Sequence, residues 1–271
     1  MKHSNFFITD ENVSQYIHAI GLWLKKKVGK KGVVLGMSGG IDCAVVARLC
    51  QTAGVDCHLI MLPCGYAMVS DKSYDHAKEL INQFEFRWHE WDITNTFNTL
   101  CYIPDGDERE LSDKERLVYA NTKARIRMTY LYQWAQLNGR LVIGTSNLSE
   151  RYVGYCTKWG DMGSDLNPLG NLTKREVYIL AKWLEVPDCI INKPPSAGLW
   201  VGQTDEEELG FTYEQLDDFI MNGSSGCQRV DDAILTRNEM AQHKIHPIPL
   251  FGPNGFEYED YCKTNNGLLN P

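Results

Sequence analysis

The amino-acid sequence predicts an α/β fold, a doubly wound parallel sheet with helices on both faces. Three observations carry this. Short apolar runs alternate with segments of helical periodicity through the first half of the chain. The first run, Val33 to Met37, shows no polar alternation, the mark of a strand buried on both faces. A glycine turn, Ser38-Gly39-Gly40, joins it directly to a helix with apolar positions Ile41, Val45, Val46 and Leu49.

The elements follow in order. Residues 9–27 open on Thr9 and Asp10, good caps, and place Val13, Tyr16, Ile17, Ile20, Trp23 and Leu24 on one stripe. An amphipathic helix packed ahead of the first strand fits better than a membrane-surface helix, because the charges cluster only at Lys25 to Lys27. Cys57 to Pro63 is a second buried strand. Ser70 to Phe84 is a helix with Ala77, Leu80, Ile81 and Phe84 inward. Phe86 to Trp91 is a third strand, and Asp92 starts a helix that runs to Cys101. Pro104 to Asp113 is polar. A long helix, Lys114 to Asn138, ends at Gly139. Its apolar residues surround much of its circumference, which implies burial on two sides. Arg140 to Thr145 is the fourth parallel strand. Ligands of such sheets bind at the carboxyl ends of strands. Ser38 to Asp42 and Thr145 to Glu150 both fall there.

Composition narrows the function. The 271 residues are 43% hydrophobic, enough for a substantial core, and carry a net charge of −8. With no long Lys/Arg run, a nucleic-acid surface is not expected. No apolar run reaches membrane-span length, and the start, Met1-Lys-His-Ser-Asn-Phe-Phe, does not read as a signal peptide. Nine cysteines are scattered without a CxxC pair, as expected of reduced thiols in a cytoplasmic protein. The seven histidines form no zinc signature. No repeat, linker or low-complexity segment divides the chain, so residues 1–271 are expected to form one domain.

Successive N–H groups in a strand–glycine turn–helix point at one spot, which the helix start makes slightly positive. That spot suits a phosphate. The carboxylate of Asp42 would repel a bare phosphate unless a divalent cation lies between them. The plainer alternative is a βα turn whose glycines allow close packing, with Asp42 interacting only with the helix dipole. GxxxxGK[ST] and GxGxxG loops are both absent. The pattern SGGxD instead resembles the pyrophosphatase loop of the synthetases that split ATP to AMP and pyrophosphate, with Cys43 where serine is usual. That resemblance implies an adenine nucleotide alpha hydrolase-like fold and an ATP site at Gly36, Met37, Ser38, Gly39, Gly40, Ile41, Asp42 and Cys43.

The second half resembles the NAD synthetases. Gly144-Thr-Ser-Asn-Leu-Ser-Glu, Thr157-Lys-Trp-Gly-Asp-Met-Gly-Ser-Asp and Leu172-Thr-Lys-Arg match the family's GT…E, TK(Y/W)GDxxxD and LTK(R) elements in order. Asn121-Thr-Lys-Ala-Arg-Ile-Arg-Met, Lys193-Pro-Pro-Ser-Ala-Gly-Leu-Trp, Asp205-Glu-Glu-Glu-Leu-Gly and His243-Lys244 match further elements. The resemblance covers residues 10–245 and leaves the last segment without a motif. It implies a ligase that adenylates the nicotinate carboxylate of deamido-NAD with ATP and then admits ammonia. It implies no glutaminase domain, and hence free ammonia as the nitrogen source. It makes Asp42 and Lys174 catalytic, Asp42 and Glu150 the ligands of Mg²⁺, and Thr145, Lys174 and Ser196 ATP contacts. It assigns Arg125, Lys158, Asp165, His243 and Lys244 to the dinucleotide. Arg127 competes with Arg125, since both could reach the site from adjacent turns.

Each residue also has a plainer role. Glu150 alone would read as a solvated charge, Thr145 and Ser196 as turn hydroxyls, and Asp161 and Asp165 as Asx turns. Lys174 is less easily dismissed, because a lysine at a helix start opposes the dipole. The family's usual assembly implies a homodimer. Residues 64–72 or 104–113, and 193–209, are expected to close over the ligands. Two other functions compete with this one. One is another SGGxD-loop pyrophosphatase, tRNA-thiolating or GMP-forming, although paired cysteines and a basic RNA surface are not evident. The other is a catalytically silent nucleotide sensor, suggested only by Cys43.

Overall fold

The computed structural model describes residues 8–65, 72–101, 111–195 and 204–249. Its sheet is built outward from β1 (Val33–Gly36). β2 (Cys57–Met61) lies on one side of β1, with β3 (Trp88–Glu90) beyond it, and β4 (Leu141–Val142) lies on the other side. All pairings are parallel, with Val33 opposite both Cys57 and Leu141, and Leu59 opposite Trp88. The chain therefore lays down β1, β2 and β3 in one direction and then crosses back to place β4. The crevice between the ends of β1 and β4 is the switch point, where such sheets bind ligands.

Successive residues of β1 point to opposite faces, and both faces are covered. Val33, Leu35, Leu59 and Met61 pack with residues of α1 (Val13–Val28), α2 (Ile41–Thr52), α3 (Ser73–Phe84) and α7 (Lys174–Trp183). Val34, Ile60 and Val142 pack with residues of α4 (Thr94–Leu100) and α5 (Asp113–Leu137). This is the expected double winding. A third cluster, including Val153, Leu209, Phe211, Leu216 and Ile234, joins α6 (Leu148–Tyr152), α9 (Asp205–Leu209), α10 (Tyr213–Asn222) and α11 (Gln228–Ile245). The short α8 (Asp188–Ile191) sits between α7 and this group in sequence.

The ends of several elements differ from expectation. α1 begins at Val13, because the Thr9 N–H is taken up by Asn12 Oδ1 in a preceding turn. α4 begins at Thr94, with Asp92 Oδ1 accepting the Thr94 N–H. β4 keeps only two ladder residues, after which Ile143 makes an isolated parallel bridge to Leu166. α5 starts as a capping box between Ser112 and Glu115. Its two-sided apolar character is only half satisfied. Ala120, Ile126 and Ala135 are buried, whereas Leu117 and Val118 stay 49% and 52% exposed. The expected lid segments 64–72 and 104–113 fall largely outside the described residues, as does the middle of 193–209 with Ser196.

Candidate active site

The turn after β1 is as tight as the glycines imply. Gly39 has φ +82°, and a Cβ there would lie 2.0 Å from the Ser73 carbonyl oxygen. The Gly40 N–H donates to Ser38 Oγ at 3.2 Å, and α2 starts at Ile41. This places Asp42 in the first turn of α2, at the mouth of the β1–β4 crevice. Cys43 is buried, with its sulfur 3.1 Å from Ser38 Oγ, and burial pushes its thiol pKa up.

Across the crevice, the segment after β4 folds into α6 through a second capping box. Asn147 Oδ1 accepts the Glu150 N–H at 2.9 Å, and Glu150 Oε2 accepts the Asn147 N–H at 3.2 Å. Asn147 is fully buried, and its Nδ2 donates to Asp42 Oδ1 at 2.9 Å. One asparagine therefore fixes both carboxylates. The reach of Asn147 to Asp42 joins residues far apart in the chain.

Lys174 enters between them from the first position of α7. Its ammonium donates to Asp42 Oδ2 at 2.6 Å and to Glu150 Oε1 at 3.3 Å, and only 4% of the side chain is exposed. Burial works against this cation, but Asp42 and Glu150 outweigh it and push the Lys174 pKa up. Burial, together with the Asp42 carboxylate, pushes Glu150 up to about 8. Tyr213 lies beside the cluster, its ring centroid 5.1 Å from Lys174 Nζ and its hydroxyl donating to Asp205 Oδ2 at 3.0 Å. Sequence reading missed Tyr213 and Asp205, which the chain brings in from α9 and α10.

Asp42, Glu150, Lys174 and Asp205 line one cavity of about 900 Å³, within the range of small-molecule pockets. It runs from Gly36, Met37, Ser38, Gly40 and Ile41 past Thr145 to Asp161, His243 and Lys244. Lys244 Nζ donates to the carbonyls of Gly154 at 2.7 Å and Cys156 at 2.8 Å. Lys158 Nζ donates to the His243 carbonyl at 2.5 Å, so the two lysines are fastened to neighbouring backbone. Lys158 itself does not line the cavity.

Arg125 and Asp165 do not line it either. Arg125 is exposed on α5, with Nε donating to the Lys158 carbonyl at 3.3 Å. Asp165 accepts the Val142 N–H at 2.7 Å and the Tyr132 hydroxyl at 3.2 Å, closing the edge of the sheet. Arg127 does line the cavity, and its Nε donates to the Leu62 carbonyl at 3.0 Å. Between the two competing arginines, the fold therefore turns Arg127 toward the cavity.

Asp42 and Glu150 offer hard carboxylate oxygens from two neighbouring strand ends, the donor type that suits Mg²⁺. The described residues hold no group of three or more potential His, Cys, Asp or Glu ligands. Such a pair fits Mg²⁺ in its usual form, with one or two carboxylates and phosphate oxygens completing the shell.

The profile of the NAD synthase family matches residues 16–249. The NH(3)-dependent NAD(+) synthetase of Syntrophomonas wolfei is 41% identical over 237 residues, 85% of this chain and 94% of that protein. The enzyme of the same description from Methanococcus aeolicus is 47% identical over 218 residues, 78% of this chain and 83% of its own. Among solved structures, an NMN synthetase from Francisella tularensis superimposes with a TM-score of 0.78 at 34% identity, covering 88% of this chain and 97% of the other. An NH3-dependent NAD synthetase from Campylobacter jejuni gives 0.68 at 27% identity, covering 89% and 98%. The loop, the paired carboxylates and the lysine thus sit on a chain that belongs to the NAD synthase family.

Proposed function

We propose that this NAD synthetase, a carbon–nitrogen ligase, amidates deamido-NAD with free ammonia at the cavity between β1 and β4. The observation that carries the reading is the convergence of Asp42, Glu150 and Lys174 there. A nicotinate carboxylate is unreactive toward ammonia. One of its oxygens attacks the α-phosphorus of ATP, the bond to pyrophosphate breaks, and a mixed anhydride forms. Ammonia then attacks the acyl carbon, and AMP leaves with that oxygen. The protein must bring two anions together and keep water out.

The turn at 38–41 would direct backbone N–H groups at the phosphates, with Thr145 beside it. Lys174 would supply a cation that cannot easily lose its proton, and it contacts a phosphate oxygen in this reading. Asp42 and Glu150 would hold Mg²⁺, which neutralises phosphate charge when bound. His243 and Lys244 would meet the dinucleotide at the far end of the cavity, with Lys158 bracing His243. The motif match alone supports Ser196 and Asp165. Exposed Arg125 fits a dinucleotide bound near a second copy of the chain, and with half-exposed Leu117 and Val118 it supports a homodimer. The free thiols of the described cysteines support a reducing, cytoplasmic setting.

One observation favours a second substrate. The Francisella tularensis NMN synthetase superimposes better than the Campylobacter jejuni NAD synthetase, 0.78 against 0.68. The test compares amide formation from deamido-NAD and from nicotinate mononucleotide, each with ATP, Mg²⁺ and ammonium. A kcat/KM at least tenfold higher for the dinucleotide is expected. The reverse order would reassign the substrate, and no amide from either would overturn the function.

A further inference from the structure

The start of α7 is buried, with Thr173, Lys174 and Glu176 each 3% exposed. Its first N–H groups have no partners in the backbone ladder of the helix. Thr173 caps the Glu176 N–H at 3.4 Å. The remaining two are satisfied from elsewhere. The Lys174 N–H donates to Ser149 Oγ at 2.9 Å, and the Arg175 N–H donates to Asp217 Oδ2 at 2.8 Å. Ser149 in turn donates to Asp217 Oδ1 at 2.5 Å. Ser149 is fully buried, and Asp217 is 1% exposed.

One carboxylate on α10 therefore ties together α6, which carries Glu150, and α7, which carries Lys174. It also answers the cost of a lysine at this position. A cation opposes the dipole at a helix start, and a buried carboxylate there offsets it. Because Asp217 fills the end of α7, no phosphate can be taken by those backbone N–H groups. The Lys174 side chain is left as the part of α7 that can meet one.

We infer that Asp217, acting through Ser149, is a positioning residue that holds the Lys174 ammonium and the Glu150 carboxylate in register for the reaction. The inference rests on the synthetase reading of the cavity. It needs no contact between Asp217 or Ser149 and any substrate, and neither residue lines the cavity.

The test uses Ser149→Ala, which removes the relay, and Asp217→Asn, which keeps shape and hydrogen-bonding capacity but removes the charge. Asp231→Asn is the control. It alters a comparably buried carboxylate, 7% exposed, that accepts from Ser224 and Ser225 away from the site. Each protein is assayed well below its own Tm. Ser149→Ala is expected to lose at least tenfold in kcat, and Asp217→Asn at least threefold, with both KM values within twofold of wild type. Asp231→Asn is expected to keep its kcat whatever its Tm.

Hydrogen exchange of the peptide spanning residues 173–177 in the ligand-free protein is the second readout. It is expected to be at least tenfold faster in Ser149→Ala and unchanged in Asp231→Asn. Wild-type kcat in both relay variants, or an equal loss of kcat in Asp231→Asn, would overturn the inference. So would unchanged exchange in Ser149→Ala. A wild-type protein without synthetase turnover would count against the proposed function instead, and the exchange measurement would still decide whether the anchor exists.

Discussion

Lys174 Nζ donates to Asp42 Oδ2 at 2.6 Å, joining residues 132 positions apart in the chain. The start of α7 is thereby locked to the start of α2, with Glu150 closing the third side at 3.3 Å. With both carboxylates ionised, the cluster around the buried ammonium would carry net negative charge at the mouth of a glycine turn suited to phosphate, and burial beside Asp42 favours a protonated Glu150 in the free protein. A cation brought with the nucleotide would favour the ionised form of both carboxylates.

Asp42→Asn and Glu150→Gln keep shape and remove charge. Each is expected to lower kcat by roughly 10²-fold or more, the scale seen when a group that stabilises developing charge is lost. Circular dichroism should show the wild-type fold. Wild-type turnover by either variant across a Mg²⁺ titration would sink the metal assignment.

Cys43 replaces the serine usual in this loop, and a thiol is the weaker donor. Neighbouring backbone N–H groups do not depend on it, so Cys43→Ser is expected to stay within about threefold of wild-type kcat/KM. The thiol is buried and its pKa raised, which disfavours the reactive thiolate. Mass spectrometry after brief alkylation at neutral pH should find exposed Cys227 labelled before Cys43. Faster labelling of Cys43, with protection by ATP, would contradict this.

Much of this site was legible in the sequence because its parts are local. The apolar run to Met37, the glycines and Asp42 are contiguous, and they fold as read. The carboxylates and Lys174 were legible through short motifs. The order of the sheet was not, because periodicity does not say that β4 returns beside β1. Nor was the bridge from Asn147 to Asp42, 105 positions apart, or from Ser149 to Asp217, 68 apart. Each of these residues looks like an ordinary cap or helix polar group until tertiary packing supplies its partner. Asp165 shows the converse, a motif carboxylate whose visible partners belong to the sheet edge.

A pH effect is expected on the opposite side of the sheet. His58 Nε2 lies 2.8 Å from His89 Nδ1, and the His58 ring stacks on Trp134 at 4.5 Å. Burial first, then the neighbouring His89 and Arg140, push His58 down to about 4 from its usual 6.5. The unfolded chain therefore binds a proton that the folded chain refuses between those values. Stability is fully present above pH 6.5 and falls as pH drops toward 4, by at most about 1.4 kcal/mol per pH unit, less for partial exposure. Thermal unfolding of His58→Gln should show a flatter acid limb. An unchanged limb would mean another group controls it.

Among the described residues, Leu117 and Val118 leave half-exposed apolar surface on α5. A stable dimer interface there would bury about 2,000 Å² or more. Sedimentation at micromolar concentration should give a dimer, and Leu117→Glu with Val118→Glu should give a monomer. A monomeric wild-type protein refutes the dimer.

The central claim is that the cavity adenylates a carboxylate before ammonia enters. Deamido-NAD labelled with ¹⁸O in its nicotinate carboxylate tests this most directly, with ATP, Mg²⁺ and ammonium present and the products read by mass spectrometry. One labelled oxygen should appear in each AMP formed, with an equal amount of NAD and no label in pyrophosphate. Unlabelled AMP, or label in a phosphate other than that of AMP, would contradict the claim.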